Sequence, residues 1–189
     1  MILPFVVLIA GLVLFAAVHL VPADPARKAA LRSRVGDRGW RALVGVGGLF
    51  GLVLIVAGYA ASDYVHVYDP PVWGRHVTMS LVLPAFIGLA LFIIGGRLRQ
   101  AIRFPFAWGI LLWGAGHLLA NGDLASIVLF GGLIAYAIAH IAIGHAAGAV
   151  PAARSGHWRD PAAIVLGVVL YVAFLWLHPY LIGVAVVAW

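Results

Sequence analysis

At 189 residues and a net charge of +6, the chain is 65% apolar and only 10% charged, whereas soluble domains carry about 25% charged residues. It has no cysteine, which excludes a disulfide scaffold, a thiolate haem ligand, a cysteine nucleophile and iron–sulfur ligation. Its acids are six aspartates and no glutamate, all expected in loops or turns, so a proton-coupled transporter built on buried carboxylates has almost nothing to work with.

Apolar runs of about 20 residues predict membrane helices, and six are present, at 2–21, 42–61, 77–95, 105–121, 124–144 and 162–187. The first has no basic residue ahead of it and is as long as a full span, so it reads as a retained helix rather than a cleaved secretory signal. It ends at Pro22-Ala-Asp24-Pro25, an N-cap and first-turn pair for a short basic helix over 26–35 that Gly36 can close. The second run carries Gly45, Gly47, Gly48, Gly51 and Gly58; Gly47 and Gly51 form a small-xxx-small pair that lets another backbone approach closely. An outer loop, 62–76, follows, stiffened by Pro70-Pro71 and carrying Tyr64, His66, Tyr68 and Trp73, aromatic and amphipathic groups suited to the membrane–water interface. Pro84 predicts a kink in the third run. The fourth and fifth form a hairpin through Asn121-Gly122-Asp123, where Gly122 can take a positive φ and Asp123 can N-cap the next helix. His178-Pro179 predicts a bend in the sixth.

The loops at 22–41, 96–104 and 145–161 hold eleven of the twelve basic residues, and only Arg75 falls on the other side. Charge placed in this way excludes nucleic acid as the partner. It obeys the positive-inside rule and puts both termini outside the cytoplasm. The expected fold is an all-α, six-span transmembrane helical bundle in contact with the lipid bilayer.

The line Trp113-Gly-Ala-Gly-His117-Leu-Leu-Ala-Asn121 carries the strongest site signal. Its three polar or aromatic landmarks are spaced i, i+4, i+8 and share one helix face. An imidazole in hydrocarbon is costly unless it is hydrogen-bonded or used, so His117 marks a candidate site. Four of the eight histidines, His19, His117, His140 and His178, lie in or at the ends of runs, and His76 sits at an outer boundary. No pair has zinc-type spacing. For any single one, a hydrogen bond to a neighbouring helix is the plain reading. Five together point to a cofactor, and haem is the natural candidate where imidazole is the only strong axial ligand. With a rise of about 1.5 Å per residue, His19 and His117 differ in depth by roughly 13 Å within a core of about 30 Å. By depth, His117 is nearer to His76 and His178, and His19 is nearer to His140.

Taken together, these residues resemble a family. His19-Leu-Val-Pro22-Ala-Asp-Pro25, then Arg32, Gly36, Trp40-Arg41, Gly58-Tyr59 and Pro71-Val-Trp73-Gly74-Arg75-His76 lead to the longest matching block, 113–130, with His117-Leu-Leu-Ala-Asn121-Gly122-Asp123-Leu-Ala-Ser126. The whole chain, 1–189, is similar to a single transmembrane domain of the NnrU family of bacterial membrane proteins. That resemblance implies a multi-pass protein of the bacterial inner membrane, loosely associated with nitrogen-oxide metabolism. The family is itself similar to the plant zeta-carotene isomerases, membrane enzymes that use haem b held by histidines to isomerise a polyene. Carried onto this chain, the implied metal ligands are His19 and His117; depth keeps His76 as a rival partner for His117, and a haem-binding reading has Trp113 and Asn121 order the pocket. Arg103-Phe104-Pro105 departs from the Arg-His-Pro expected there and removes one polar group at the mouth of the fourth helix.

Two functions are weighed. The first is a haem-dependent isomerase or oxidoreductase whose apolar polyene substrate enters from lipid. The second is a non-catalytic accessory or assembly factor working with another membrane protein or with a second copy of itself. A transporter ranks last, because neither inverted repeats nor midplane charges are visible.

Overall fold

A computed structural model describes residues 2–152 and 154–186. Among them the chain is all-α, with seven α-helices: α1 (Ile2–Leu20), α2 (Pro25–Ala60), α3 (Gly74–Ile94), α4 (Arg97–Ile102), α5 (Pro105–Leu118), α6 (Leu124–Ala146) and α7 (Arg159–Ile182). Five are long and apolar enough to cross a membrane: α1 with the 3₁₀ turn that follows it, α2, α3, α6 and α7. Large apolar side chains stand exposed along them in numbers unusual for a soluble protein, among them Val13 and Leu49, each 63% exposed, and Trp176 at 59%. Hydrocarbon is the solvent that accepts such faces, so this is a multi-pass membrane protein.

The run at 105–121 yields a helix of 14 residues, about 21 Å long. It stops because the Leu119 and Ala120 amides donate to the Gly116 and His117 carbonyls. These i→i−3 bonds tighten the last turn and release the chain into the Asn121-Gly122-Asp123 turn. The last residue of the run 162–187 lies outside the described residues; α7 itself runs through Pro179 to Ile182, and Gly183 caps it at φ 81°. The short α4 lies where the sequence reads as a loop.

The described residues fall into two compact units, each made of two stretches of chain. Unit one takes residues 1–70 and 121–149 and contains α1, α2 and α6. Asp24 caps α2 as its position predicts, accepting from the Ala26 and Arg27 amides at 2.8 and 3.3 Å. Gly36 breaks the helix at φ 71°, and helix resumes at once, so Asp37 is helical rather than in a loop. Arg32 and Asp37 straddle the break as a bidentate ion pair, with Nη2 to Oδ2 at 2.8 Å. Beyond it, α1 and α2 cross on glycine. Gly51 lies against the Phe15 backbone, and Gly11 against the Ile55 amide nitrogen. At these positions a Cβ would stand 3.0 Å from the Phe15 nitrogen and 2.6 Å from the Ile55 nitrogen. Gly47 faces Val18 in the same seam, so the small-xxx-small pair does what its spacing implies.

Unit two takes 71–120 and 150–189, with α3, α4, α5 and α7. The α3–α5 hairpin is again a glycine seam: Gly109 meets the Ala85 carbonyl, and Gly116 meets Thr78. Thr78 Oγ1 is bonded at 2.6 Å to the Gly116 carbonyl, an interhelical hydrogen bond of the kind that holds membrane helices together. On its other side α3 packs on α7 through Ala90, Leu91 and Ala163, with Ile87, Ile94 and Leu166 around them.

Candidate functional site

Three helical histidines follow an aromatic residue by four positions: Phe15–His19, Trp113–His117 and Tyr136–His140. In each pair the rings meet, with centroids 4.2, 4.6 and 5.7 Å apart, because i and i+4 side chains lie one above the other on a helix. In the first two pairs the imidazole Nδ1 also sits 2.8 Å from the aromatic residue's own carbonyl. A carbonyl only accepts, so Nδ1 carries a hydrogen in both His19 and His117. Metal-binding imidazoles are oriented in this way, with one nitrogen tied to a backbone carbonyl and the other presented as ligand.

In unit one, His19 is part of an aromatic cluster on the facing surfaces of α1 and α6. Its ring stacks on Phe15 and meets Tyr136 edge-on at 6.4 Å. Gly48 of α2 provides the slot: a Cβ there would stand 2.7 Å from His19 Cε1 and 3.3 Å from Nε2. Tyr136 is 4% exposed and its hydroxyl lies 3.4 Å from His140 Nδ1. His140 lies beside the His19 backbone. The depth estimate that placed His19 with His140 therefore agrees with the packing.

In unit two, His117 and Trp113 stand on α5, and His178 on α7 is close enough for the two imidazoles to interact electrostatically. His178 Nδ1 is bonded at 2.7 Å to the Val184 carbonyl beyond the helix end. His76 is in the first turn of α3, exposed, with its carbonyl accepting from Ser80. Thus Trp113 and His117 are brought together, His19 is built into the Phe15–Tyr136–His140 cluster, and His76 lies at a helix start.

Asn121 belongs to unit one and sits in the turn that precedes α6. Its carbonyl accepts from the Tyr68 hydroxyl at 2.8 Å. The outer loop folds onto the turn as a one-rung antiparallel bridge between His66 and Asp123. Leu124 donates to the Val65 carbonyl, and Val67 donates to the Gly122 carbonyl. Gly122 does not take the positive φ expected from its place in the turn. It is needed because a Cβ would run into the Tyr68 carbonyl. Asp123 caps α6 as expected, accepting from the Ser126 amide at 2.9 Å and the Ser126 hydroxyl at 2.6 Å. The Ser126 proton is thereby committed, so the Tyr59 hydroxyl, 3.1 Å away, donates to Ser126. The result is a directed chain from Tyr59 through Ser126 to Asp123. Burial, and then the neighbouring Asp123 carboxylate, hold the Tyr68 hydroxyl above the usual tyrosine range.

Tyr68 and Ser126 were not singled out as site residues from the sequence, Tyr59 and Tyr136 counted only as weaker ligands than imidazole, and His140 only as one of the five histidines. The repeated aromatic-xxx-His spacing was the available signal for Tyr136 and His140. The Tyr68 contact depends on a loop meeting a turn 53 residues away, which no local pattern reveals.

Taken one unit at a time, His19 and His117 are each an imidazole tied through Nδ1 to a backbone carbonyl, the kind of donor that haem iron takes axially, and the sequence has no cysteine to compete. Among the described residues there is no group of three or more His, Cys, Asp or Glu side chains that could hold a bare metal ion. No curated protein and no solved structure matches the chain. The family model described as NnrU protein matches residues 7–186, nearly the whole chain, and with the distinctive block 117–126 standing at the α5–α6 turn, the chain belongs to the NnrU family.

Proposed function

We propose that this NnrU protein is a six-span protein of the bacterial inner membrane, with both termini outside the cytoplasm, that holds a b-type haem on histidine. In this reading it acts on an apolar, polyene-like substrate drawn from the lipid phase. The observation that carries the reading is one geometry found in each unit by itself: His19 in unit one and His117 in unit two each donate from Nδ1 to the carbonyl four residues back. When bound, the haem supplies a redox-active iron whose axial sites can be filled or opened. His117 serves as one ligand, steadied by Trp113 against rotation. His19 or His76 serves as the second, and Asn121 fixes the turn that follows α5. The substrate is apolar in this reading because the helices present apolar side chains and no row of polar groups for an aqueous path. The shorter α5 counts as the sixth span, and its loops place the basic residues on the cytoplasmic side.

The test is an absorption spectrum of detergent-purified protein, oxidised and then reduced with dithionite. The expected result is a Soret band with sharp reduced α and β bands, lost in His117→Ala. Parallel loss in His19→Ala or in His76→Ala identifies the second ligand. A colourless protein after expression with added haem, or full haem content in His117→Ala, overturns the reading in favour of a non-catalytic accessory factor, which copurification with a partner would then support.

A further inference from the structure

The break between α3 and α4 gathers four arginines around one carboxylate, all within unit two. Gly95 and Gly96 turn the chain at φ 79° and 129°, leaving carbonyls at the end of α3 and amides at the start of α4 without helical partners. Asp160, in the first turn of α7, accepts from the Arg97 and Leu98 amides, one on each oxygen, both at 3.1 Å. Arg159 Nη1 donates to the Ile94 carbonyl at 2.9 Å, and Arg154 Nη1 to the Ile93 carbonyl at 3.1 Å. These bonds place two guanidiniums at the negative end of the α3 dipole. Arg97 and Arg99 project from the short helix beside them.

The charges do not balance. Asp160 is the only carboxylate side chain in the sequence of unit two, and both its oxygens are taken by backbone amides. Among the described residues none of the four arginines makes an ion pair. Arg99 rests over the Phe92 ring at 5.6 Å, and Arg159 over Trp158 at 4.7 Å. Partial burial, and then the positive Arg154 nearby, hold Arg99 below the usual arginine range. Two like charges are thus held close by backbone ties and aromatic packing, at the end of an apolar helix where the chain leaves hydrocarbon. Trp158, 54% exposed, is an amphipathic ring of the kind that sits at headgroup depth.

We propose that Arg99 and Arg154 form a binding site for the phosphate of an anionic membrane lipid, with Arg97 and Arg159 supplying further positive charge. A guanidinium pair offers several N–H donors in fixed forks, and a phosphodiester oxygen pair accepts them bidentately. Lipid phosphate is the source present at that depth. An occupied site relieves the Arg99–Arg154 repulsion, so the lipid also fastens α4 and the residues before α7 to the end of α3.

The test uses the full-length protein, delipidated in detergent, with bound phosphatidylglycerol and phosphatidylcholine counted by native mass spectrometry. Arg99→Gln is the cleaner variant, because Arg99 caps no carbonyl; Arg154→Lys keeps a charge but loses the fork. Phosphatidylglycerol is expected to bind in preference to phosphatidylcholine, and each variant should weaken it about fivefold. Equal binding of the two lipids by the wild type, or unchanged phosphatidylglycerol binding in Arg99→Gln, would overturn the proposal. Displacement of the lipid by millimolar inorganic phosphate would overturn it too, by marking a site for free phosphate. Failure of Arg154→Lys to fold leaves Arg99→Gln to decide.

Discussion

Ser126 shows how one small side chain can govern a membrane helix end. It is fully buried, donates to Asp123 and accepts from Tyr59, so Ser126→Ala strands two polar groups at once. The expected loss is about 1–3 kcal/mol, read as a lower melting temperature in detergent, while Tyr59→Phe costs less because it removes only the end of the chain. Tyr68 carries a pH dependence. Its folded pKa is raised, so its contribution to stability is complete below the ordinary tyrosine value near 10 and is lost as pH rises through the folded value. Melting curves from neutral pH upwards should show a steeper alkaline loss in wild type than in Tyr68→Phe, which cannot ionise. Asp123 was legible from sequence as a cap, because capping is a local rule. Tyr68 was not, because its partners lie across 53 residues. Gly122 was singled out for the wrong property: turn chemistry predicted its backbone angle, whereas the Tyr68 carbonyl of the facing loop decides its missing side chain.

Among the elements, the glycine seams and the α3–α4 break separate two uses of the same residue. Gly51 and Gly11 are helical and face a backbone, so substitution there drives α1 and α2 apart. Gly51→Leu is expected to cost at least the 1–3 kcal/mol of an overpacked contact and to lower the yield of folded protein. At the break, Gly96→Ala is expected to be worse than Gly36→Ala, although both glycines have positive φ. A Cβ on Gly96 would collide with the Asp160 carboxylate, which cannot retreat without abandoning two amides, while a Cβ on Gly36 meets nothing within 4 Å. Thermal unfolding of the two single variants checks that order. Apolar run length predicted five of the long helices well, since hydrophobicity is a bulk property of each segment. The short α4 and the early end of α5 were missed because capping, i→i−3 tightening and Asp160 from another helix decide them.

For the molecule as a whole, the charge pattern is a topological prediction that the absence of native cysteine makes easy to test. With a single cysteine introduced, Ser62→Cys should react with an impermeant maleimide from outside intact cells, and Ser155→Cys only after the membrane is opened. The reverse pattern, or labelling of both from one side, would reject the six-span arrangement. The all-α architecture and its membrane location were legible from composition and run length. The grouping of helices into two units was not, because it depends on which apolar faces meet, and nearly uniform apolarity around each helix conceals those faces.

The two units interleave along the chain, in the order 1–70, 71–120, 121–149 and 150–189, and this has a consequence for synthesis. The ribosome releases α1 and α2 long before α6, whose first turn the outer loop clasps. At about 5–20 residues per second, the Tyr59 hydroxyl and the 65–68 backbone wait roughly 3–13 s for their partners. The α3 end waits in the same way for Arg154, Asp160 and Arg159. Each half is left open while part of the other is inserted, so assembly has an enforced order. A chain truncated after residue 149 and released should present unit one complete and the α3–α4 junction bare, ready for protease or chaperone.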